Sequence, residues 1–179
     1  GVIGTGSIGE NVIRIAKGFG MSVLAFDVFK REELAKTLGF DYVPMEELLG
    51  RADVVTLHVP GNPKTRHMIS GQQLEQMQDG AVLINTSRGD VVDVNALVGA
   101  LASGKLAAAG LDVMPDEPSI REEAELVHSF YEEQHDLRTL LAGHILLRMR
   151  NVVITPHSAF NTDEAMERIL ETTVANIER

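Results

Sequence analysis

The sequence predicts an α/β protein with a doubly wound parallel sheet, and three observations support this prediction. Strand patterns alternate with helical patterns along most of the chain, as in parallel sheets whose strands are joined by crossover helices. A glycine-rich segment, Gly4 to Gly9, joins the first strand to the first helix. The 179 residues, 44% of them apolar, are enough for one domain with a buried core.

In the first part of the chain, short apolar runs predict strands, and longer stretches with aliphatic residues at helical spacing predict the helices between them. The run around Tyr42 is the weakest strand pattern, and the segment from Pro60 to Pro63 is a strong turn cluster. The predicted elements are a strand at 1–3, a helix at 8–19, a strand at 22–26, a helix at 31–38, a strand near 42–43, a helix at 45–49 and a strand at 53–57.

The second part of the chain repeats the alternation, and Gly104 is a stop signal at the end of one helix. The predicted elements are a helix at 71–77, a strand at 81–84, a helix at 94–103, strands at 106–111 and 152–154, and a helix at 163–177. We therefore expect six or seven strands, with ligands bound at their carboxyl ends near the switch in strand order.

Residues 119–150 interrupt this alternation and form a predicted helical insertion. Two groups of apolar residues recur there at helical spacing around a polar stretch at 132–136, so we expect two helices. Their apolar sides are expected to be packing or subunit-contact surfaces rather than a ligand site. The groups are Ile120, Ala124, Val127 and Tyr131, and then Leu137, Leu140, Leu141 and Ile145.

The first residues indicate a fragment. Only three residues precede the glycine turn, whereas a central strand has about five or six, and the first residue is not Met. We expect residues 1–179 to form a single dinucleotide-binding domain that begins inside its own first strand.

Composition excludes several classes of function. The formal net charge of −10 disfavours binding to nucleic acids or anionic membranes, which depends on Lys and Arg, and no apolar run is long enough to span a membrane. The absence of cysteine rules out disulfides and thiolate metal sites, and it fits a reducing compartment, so we expect a cytoplasmic protein.

The glycine-rich segment and the acid after the second strand predict a dinucleotide site. Gly4–Gly9 reads G-x-G-x-x-G, which allows a tight turn and close approach of a pyrophosphate to a helix N-terminus. Asp27 ends the next strand, where a carboxylate accepts hydrogen bonds from an adenosine ribose and repels a 2′-phosphate. NAD is therefore favoured, although Lys30 and Arg31 follow directly and leave NADP open. The glycine turn alone would be weak support, since such turns are common.

Three chemically active side chains follow three predicted strands at the edge where the cofactor should lie. Arg88, Glu117 and His157 are expected to converge, because loops at the carboxyl ends of neighbouring parallel strands share one rim. Taken singly, each has an ordinary structural explanation as a surface arginine, a solvated loop acid or a hydrogen-bonded histidine. Together they suit hydride transfer: histidine supplies a proton near neutral pH, and arginine binds a carboxylate with a planar donor fork.

Five motifs in order give the chain a family resemblance. They are G-T-G-S-I-G at 4–9, L-H-V-P at 57–60, N-T-S-R-G at 85–89, G-L-D-V at 110–113 with Glu117, and T-P-H at 155–157. Over essentially its whole length the chain resembles the NAD-binding Rossmann domain of the D-isomer-specific 2-hydroxyacid dehydrogenases, and residues 159–176 are more similar to the branch of D-lactate and D-hydroxyisocaproate dehydrogenases.

The resemblance implies an enzyme that transfers hydride between NAD(H) and a small D-2-hydroxy acid or 2-keto acid, and a homodimer. Arg88, Glu117 and His157 would be catalytic, with Glu117 orienting the His157 ring and favouring its protonated form. The implied cofactor-binding residues are Gly4, Gly6, Ser7, Ile8, Gly9, Asp27, Val59, Pro60, Thr65, Thr86, Ser87, Arg88 and Asp112. The family's substrate domain is not in this sequence, so we expect residues 1–179 alone to bind NAD weakly and to be nearly inactive.

Two other classes remain open at this point. The resemblance extends to NAD-sensing corepressors that act by binding partners, and a methyltransferase or sugar-nucleotide protein could reuse the glycine turn. Metal binding and serine nucleophiles find little support. His128, His135 and His144 lack a shared helical turn, and no nucleophile elbow surrounds a serine.

Overall fold

The computed structural model of the protein describes residues 1–115 and 137–177. Seven parallel strands form one sheet in the order β3-β2-β1-β4-β5-β6-β7. The strands are β1 Val2–Ile3, β2 Leu24–Phe26, β3 Asp41–Tyr42, β4 Val54–Leu57, β5 Ala81–Asn85, β6 Leu106–Leu111 and β7 Val152–Ile154. The helices are α1 Ser7–Gly18, α2 Glu32–Leu38, α3 Met45–Arg51, α4 Gly71–Gln76, α5 Val94–Ala102, α6 Leu137–Leu146 and α7 Asp163–Ile177.

This order confirms the predicted doubly wound sheet and fixes its switch point. From β1 the chain runs outward through β2 to β3, and then it returns to the other side of β1 for β4. The crevice between β1 and β4 therefore opens at the carboxyl ends of the strands, where open α/β sheets bind their ligands.

Alternation along the strands divides the core between the two faces of the sheet. In β1, Val2 packs with Ile13 of α1, whereas the next residue, Ile3, packs in the cluster that contains Leu49 of α3. Successive side chains of a strand point to opposite faces, so two residues here support helices on both sides. All of these side chains are almost completely buried.

The helical insertion agrees with the prediction in part. The helix expected around Leu137 to Ile145 is confirmed as α6, but its buried side chains are Ala142 and Leu146. Leu140, Leu141 and Ile145, predicted to form a packing or subunit-contact surface, are 38–61% exposed. The helix expected around 120–131 lies outside the described residues.

A short 3-10 helix at Gly89–Val91 was not predicted. The other helices and strands begin and end within about two residues of their predicted bounds, as is usual where element ends fray. No helix in residues 1–115 or 137–177 is long and apolar enough to cross a membrane.

Candidate functional site

The glycine turn between β1 and α1 is packed too closely for side chains at two of its glycines. Gly4 has φ +93°, and a Cβ there would lie 2.5 Å from the carbonyl oxygen of His58. A Cβ at Gly9 would lie 2.0 Å from the carbonyl oxygen of Gly4. Only glycine fits at these two positions, because backbone atoms cannot move aside as a flexible side chain can.

Gly6 differs from its neighbours, because a Cβ there would meet nothing within 4 Å. Gly6 is the N-cap of α1 and offers no side-chain cap, and the first helical hydrogen bond runs from the N–H of Glu10 to its carbonyl oxygen at 2.9 Å. The amides of the first turn, at Ser7 and Ile8, therefore precede that bond and are available to an anion. This open cradle fits a pyrophosphate at the positive end of the helix.

The Asp27 carboxylate lies beside the turn and is held by it. One oxygen accepts the backbone N–H of Thr5 at 2.7 Å and the Thr5 hydroxyl at 3.0 Å, and the other accepts the N–H of Phe29 at 2.9 Å. Burial raises the pKa of Asp27, but the hydrogen bonds from Phe29 and Thr5 outweigh it and hold the pKa below its ordinary value. Asp27 is thus a fixed negative charge at the edge of the turn.

A tyrosine from β3 extends this network. The hydroxyls of Thr5 and Tyr42 are 2.8 Å apart. An ionised Asp27 only accepts, so the single hydroxyl proton of Thr5 is donated to Asp27 and the proton of Tyr42 is donated to Thr5. Sequence reasoning missed both residues, since nothing in their spacing links them to an acid after β2.

The segment after β4 closes the other side of the crevice. Val59 lies against the turn, with its Cγ1 3.1 Å from the position of a Gly4 Cβ. The Thr65 hydroxyl is buried and donates to the carbonyl oxygen of Pro60 at 2.6 Å, while it accepts the N–H of Asn62 at 3.0 Å. Thr65 therefore shapes the loop that carries Pro60.

His58 lies in the same segment, behind the glycine turn. Burial lowers the pKa of His58, and one ring nitrogen, Nε2, lies 2.9 Å from the hydroxyl of Thr56. Burial therefore favours the neutral form of this hydrogen-bonded ring.

Residues 86–89, which we call the β5 loop, are organised by Asn85, which is 1% exposed. Its amide oxygen accepts the N–H of Ser87 at 3.0 Å and the Ser87 hydroxyl at 2.7 Å, and its amide nitrogen donates to the carbonyl oxygen of Arg88 at 2.9 Å. Arg88 is exposed, Thr86 is half-buried and Ser87 is buried. Asn85 was not among the predicted site residues, although it is the first residue of N-T-S-R-G.

The β5 loop is in backbone contact with residues 112–115, the β6 loop. A Cβ at Gly89 would lie 2.1 Å from the carbonyl carbon of Met114, so the two loops touch directly behind Arg88. The N–H of Asp112 also donates to the carbonyl oxygen of Asn85 at 2.9 Å. The two strand ends are therefore held in one fixed relation.

The β6 loop in turn holds residues 155–160, the β7 loop. The Asp112 carboxylate accepts the N–H groups of Ser158 at 2.9 Å and Ala159 at 3.0 Å, together with the hydroxyl of Thr155. Its own backbone oxygen accepts the N–H of His157 at 2.9 Å. Asp112, implied above as a cofactor contact, has a carboxylate engaged by the loop that carries His157.

His157 is half-buried in an unusual backbone conformation, with φ +50°. Its ring stands edge-on to Phe160, with centroids 5.9 Å apart and planes at 86°. A histidine at positive φ is uncommon and costs strain that the surrounding bonds must offset.

Arg88 and His157 therefore belong to loops that are linked through the β6 loop on one rim of the sheet. Glu117 lies outside the described residues. Within the described parts of the chain, no group of three or more His, Cys, Asp or Glu side chains is arranged to hold a metal ion.

Comparisons with known proteins place this chain in a family. Residues 1–159 match the family model described as D-isomer specific 2-hydroxyacid dehydrogenase, NAD binding domain. The chain is 42% identical over 177 residues to a glyoxylate reductase of Korarchaeum cryptofilum, covering 99% of the chain and 47% of that protein. It is 43% identical over 180 residues to a D-specific alpha-keto acid dehydrogenase of Enterococcus faecalis, covering 98% and 50%.

A solved structure of a similar protein has the same fold. D-lactate dehydrogenase from Aquifex aeolicus, complexed with NAD and lactic acid, superposes with a TM-score of 0.85 at 43% identity, covering 99% of this chain and 51% of that one. The chain spans about half the length of the curated relatives it matches. The chain belongs to the D-isomer-specific 2-hydroxyacid dehydrogenase family and matches its NAD-binding domain.

Proposed function

We propose that the protein containing this chain is an NAD-dependent oxidoreductase that interconverts a small 2-keto acid and the D-2-hydroxy acid, with D-lactate-like substrates favoured. The observation that carries the proposal is the linkage of the Arg88 and His157 loops through Asp112 and Gly89, at the rim that also holds the glycine turn. We propose that all 179 residues form the dinucleotide-binding domain and that a separate substrate domain completes the site.

The residues have complementary roles in this reaction. Reduction adds a hydride to the carbonyl carbon and a proton to the carbonyl oxygen, and NADH supplies the hydride when bound. His157 donates the proton, and Arg88 binds the substrate carboxylate and carbonyl with its charged donor fork. Glu117 orients the imidazole. The reverse reaction returns the proton to His157.

For the dinucleotide, the open first turn of α1 would hold the pyrophosphate through the amides of Ser7 and Ile8, and Asp27 would accept the ribose hydroxyls. Further contacts are proposed along the rim. They involve Gly4, Gly6, Gly9, Val59, Pro60, Thr65, Thr86, Ser87, Arg88 and Asp112.

Two properties of the whole protein complete the proposal. A homodimer would cover apolar side chains such as Leu140, Leu141 and Ile145, which are exposed on α6. Light scattering on the full-length gene product tests this. A cytoplasmic location is proposed on the absence of cysteine alone.

A panel of 2-keto acids offered to the full-length gene product with NADH tests the proposed activity. We expect oxidation of NADH that depends on the keto acid and is fastest with short acids such as pyruvate. Binding of NAD with no turnover on any keto acid would favour the corepressor alternative instead. Nothing in the described residues or the relatives named above favours that alternative.

A further inference from the structure

Arg31 is the arginine that follows Asp27 on the way into α2, and two contacts hold it in place. Its backbone N–H donates to the Tyr42 hydroxyl at 3.2 Å, which ties it to the hydroxyl network of Asp27. Its guanidinium pairs with the carboxylate of Glu10, the residue directly after Gly9. The guanidinium therefore lies against the first turn of α1, beside the glycine turn.

Glu10 is engaged on both oxygens. One pairs with Arg31, and the other accepts a hydrogen bond from Arg14 at 2.7 Å. The hydrogen bond from Arg14 and the charges of both arginines hold the pKa of Glu10 below its ordinary value, against a smaller opposing effect of desolvation. Glu10 is thus a charged partner that keeps the Arg31 side chain on α1.

If the ribose binds beside Asp27 as proposed, the chemical difference between the two dinucleotides would lie close to this pair. NADP carries a phosphate on the adenosine 2′-oxygen, and an arginine near the end of the second strand is what accommodates that phosphate in this fold. The backbone of Arg31 is anchored by Tyr42, so a change at Glu10 would free the side chain without moving the loop. A free guanidinium could then make a bidentate pair with a phosphate.

We propose that Glu10 is a cofactor-specificity residue, which holds Arg31 on α1 and so withholds it from a 2′-phosphate. Asp27 would repel that phosphate. Arg31, the arginine among residues 27–31, would attract it, but Glu10 holds the guanidinium away from it. This inference rests on the proposed placement of the ribose beside Asp27. Glu10, on α1, would then be a second residue, besides Asp27, that determines the preference for NAD over NADP.

Equilibrium binding of NAD⁺ and NADP⁺ to the full-length gene product, with no substrate present, tests the proposal. Glu10→Gln should raise affinity for NADP⁺ by about fivefold and leave affinity for NAD⁺ within about twofold. The gain should disappear in the double variant Glu10→Gln/Arg31→Ala. Glu47→Gln is the matched control: it breaks a similar exposed ion pair, to Arg51 on α3, and should change neither affinity.

Three outcomes would overturn the proposal. Unchanged NADP⁺ affinity in Glu10→Gln would show that Glu10 does not withhold Arg31. A gain that persists without Arg31 would show that only the loss of a negative charge matters. Failure of the wild-type protein to bind NAD⁺ would overturn both this inference and the proposed function, whereas normal NAD⁺ binding with either of the first two results would overturn this inference alone.

Discussion

The buried carboxylate of Asp112 accepts the backbone N–H of Ser158 at 2.9 Å, so an acid that follows β6 fixes the loop that follows β7. His157 is the residue before Ser158 and lies at positive φ. Asp112 therefore acts through the backbone, by supporting a strained conformation that places the imidazole. A carboxylate suits this position because it accepts several hydrogen bonds and donates none.

Asp112→Asn should destabilise the protein. The amide keeps one acceptor oxygen, loses the charge and leaves a partly buried N–H of the β7 loop without its partner, which costs about 1 kcal/mol in the free energy of unfolding. Chemical denaturation at pH 7 measures this cost. The control is Asp79→Asn, at a carboxylate that is 90% exposed, where we expect a change below about 0.5 kcal/mol.

The same variant has a predicted pH signature. Burial raises the pKa of Asp112, but the hydrogen bonds from Thr155, Ala159 and Ser158 outweigh it, so the pKa is lowered overall. A lowered pKa stabilises the fold at pH values above the unfolded value, and this stabilisation is lost as pH falls through the folded value. The stability difference between wild type and Asp112→Asn should be full at pH 7 and shrink below about pH 4. A difference independent of pH would contradict a role for the charge.

Gly6→Ala should separate folding from cofactor binding. The backbone φ of −63° suits alanine and a Cβ meets no protein atom within 4 Å, so the melting temperature should stay close to that of wild type. The methyl group would enter the space of the pyrophosphate, and affinity for NAD⁺ should fall by about tenfold or more. Gly99→Ala, an equally unobstructed change in α5, should leave that affinity unaltered. If Gly6→Ala binds NAD⁺ with the affinity of wild type, the pyrophosphate does not bind at this turn.

Arg88→Lys tests the proposed substrate contact. Lysine keeps the charge but cannot reproduce the planar donor fork, so kcat/KM for 2-keto acids should fall by roughly 10²-fold. Affinity for NADH should change far less. The control variant Arg51→Lys, on α3, should have the kcat/KM of wild type. An unaltered kcat/KM in Arg88→Lys would show that the guanidinium does not bind substrate.

Much of the fold was predictable from the sequence because its determinants are local. Apolar runs, helical spacing and the turn glycines specify most strands and helices without knowledge of distant contacts. The side of α6 that packs within the domain could not be predicted in this way, because it depends on contacts between residues that are far apart in sequence. Apolar residues lie on several sides of this helix. Its contact with α5, which is far away in sequence, determines that Leu146 is buried while Leu141 is exposed.

The candidate site residues that could be predicted are chemically active side chains that follow the end of a strand. Arg88 and His157 follow strands, and parallel topology places those strand ends on one rim. The supporting residues could not be found in this way. Asn85 acts through a buried amide, and Tyr42 reaches Asp27 through the hydroxyl of Thr5, so these roles appear only when three separate segments are brought together.

NADH oxidation by full-length His157→Asn, with the best 2-keto acid of the panel, tests the proposed proton donor most directly. Asparagine tolerates the positive φ of this position, so the loop should keep its conformation while the proton donor is lost. We predict that kcat falls by roughly 10²- to 10⁴-fold while affinity for NADH is retained. Turnover equal to that of wild type would contradict the assignment of His157 as the acid, and with it the proposed mechanism.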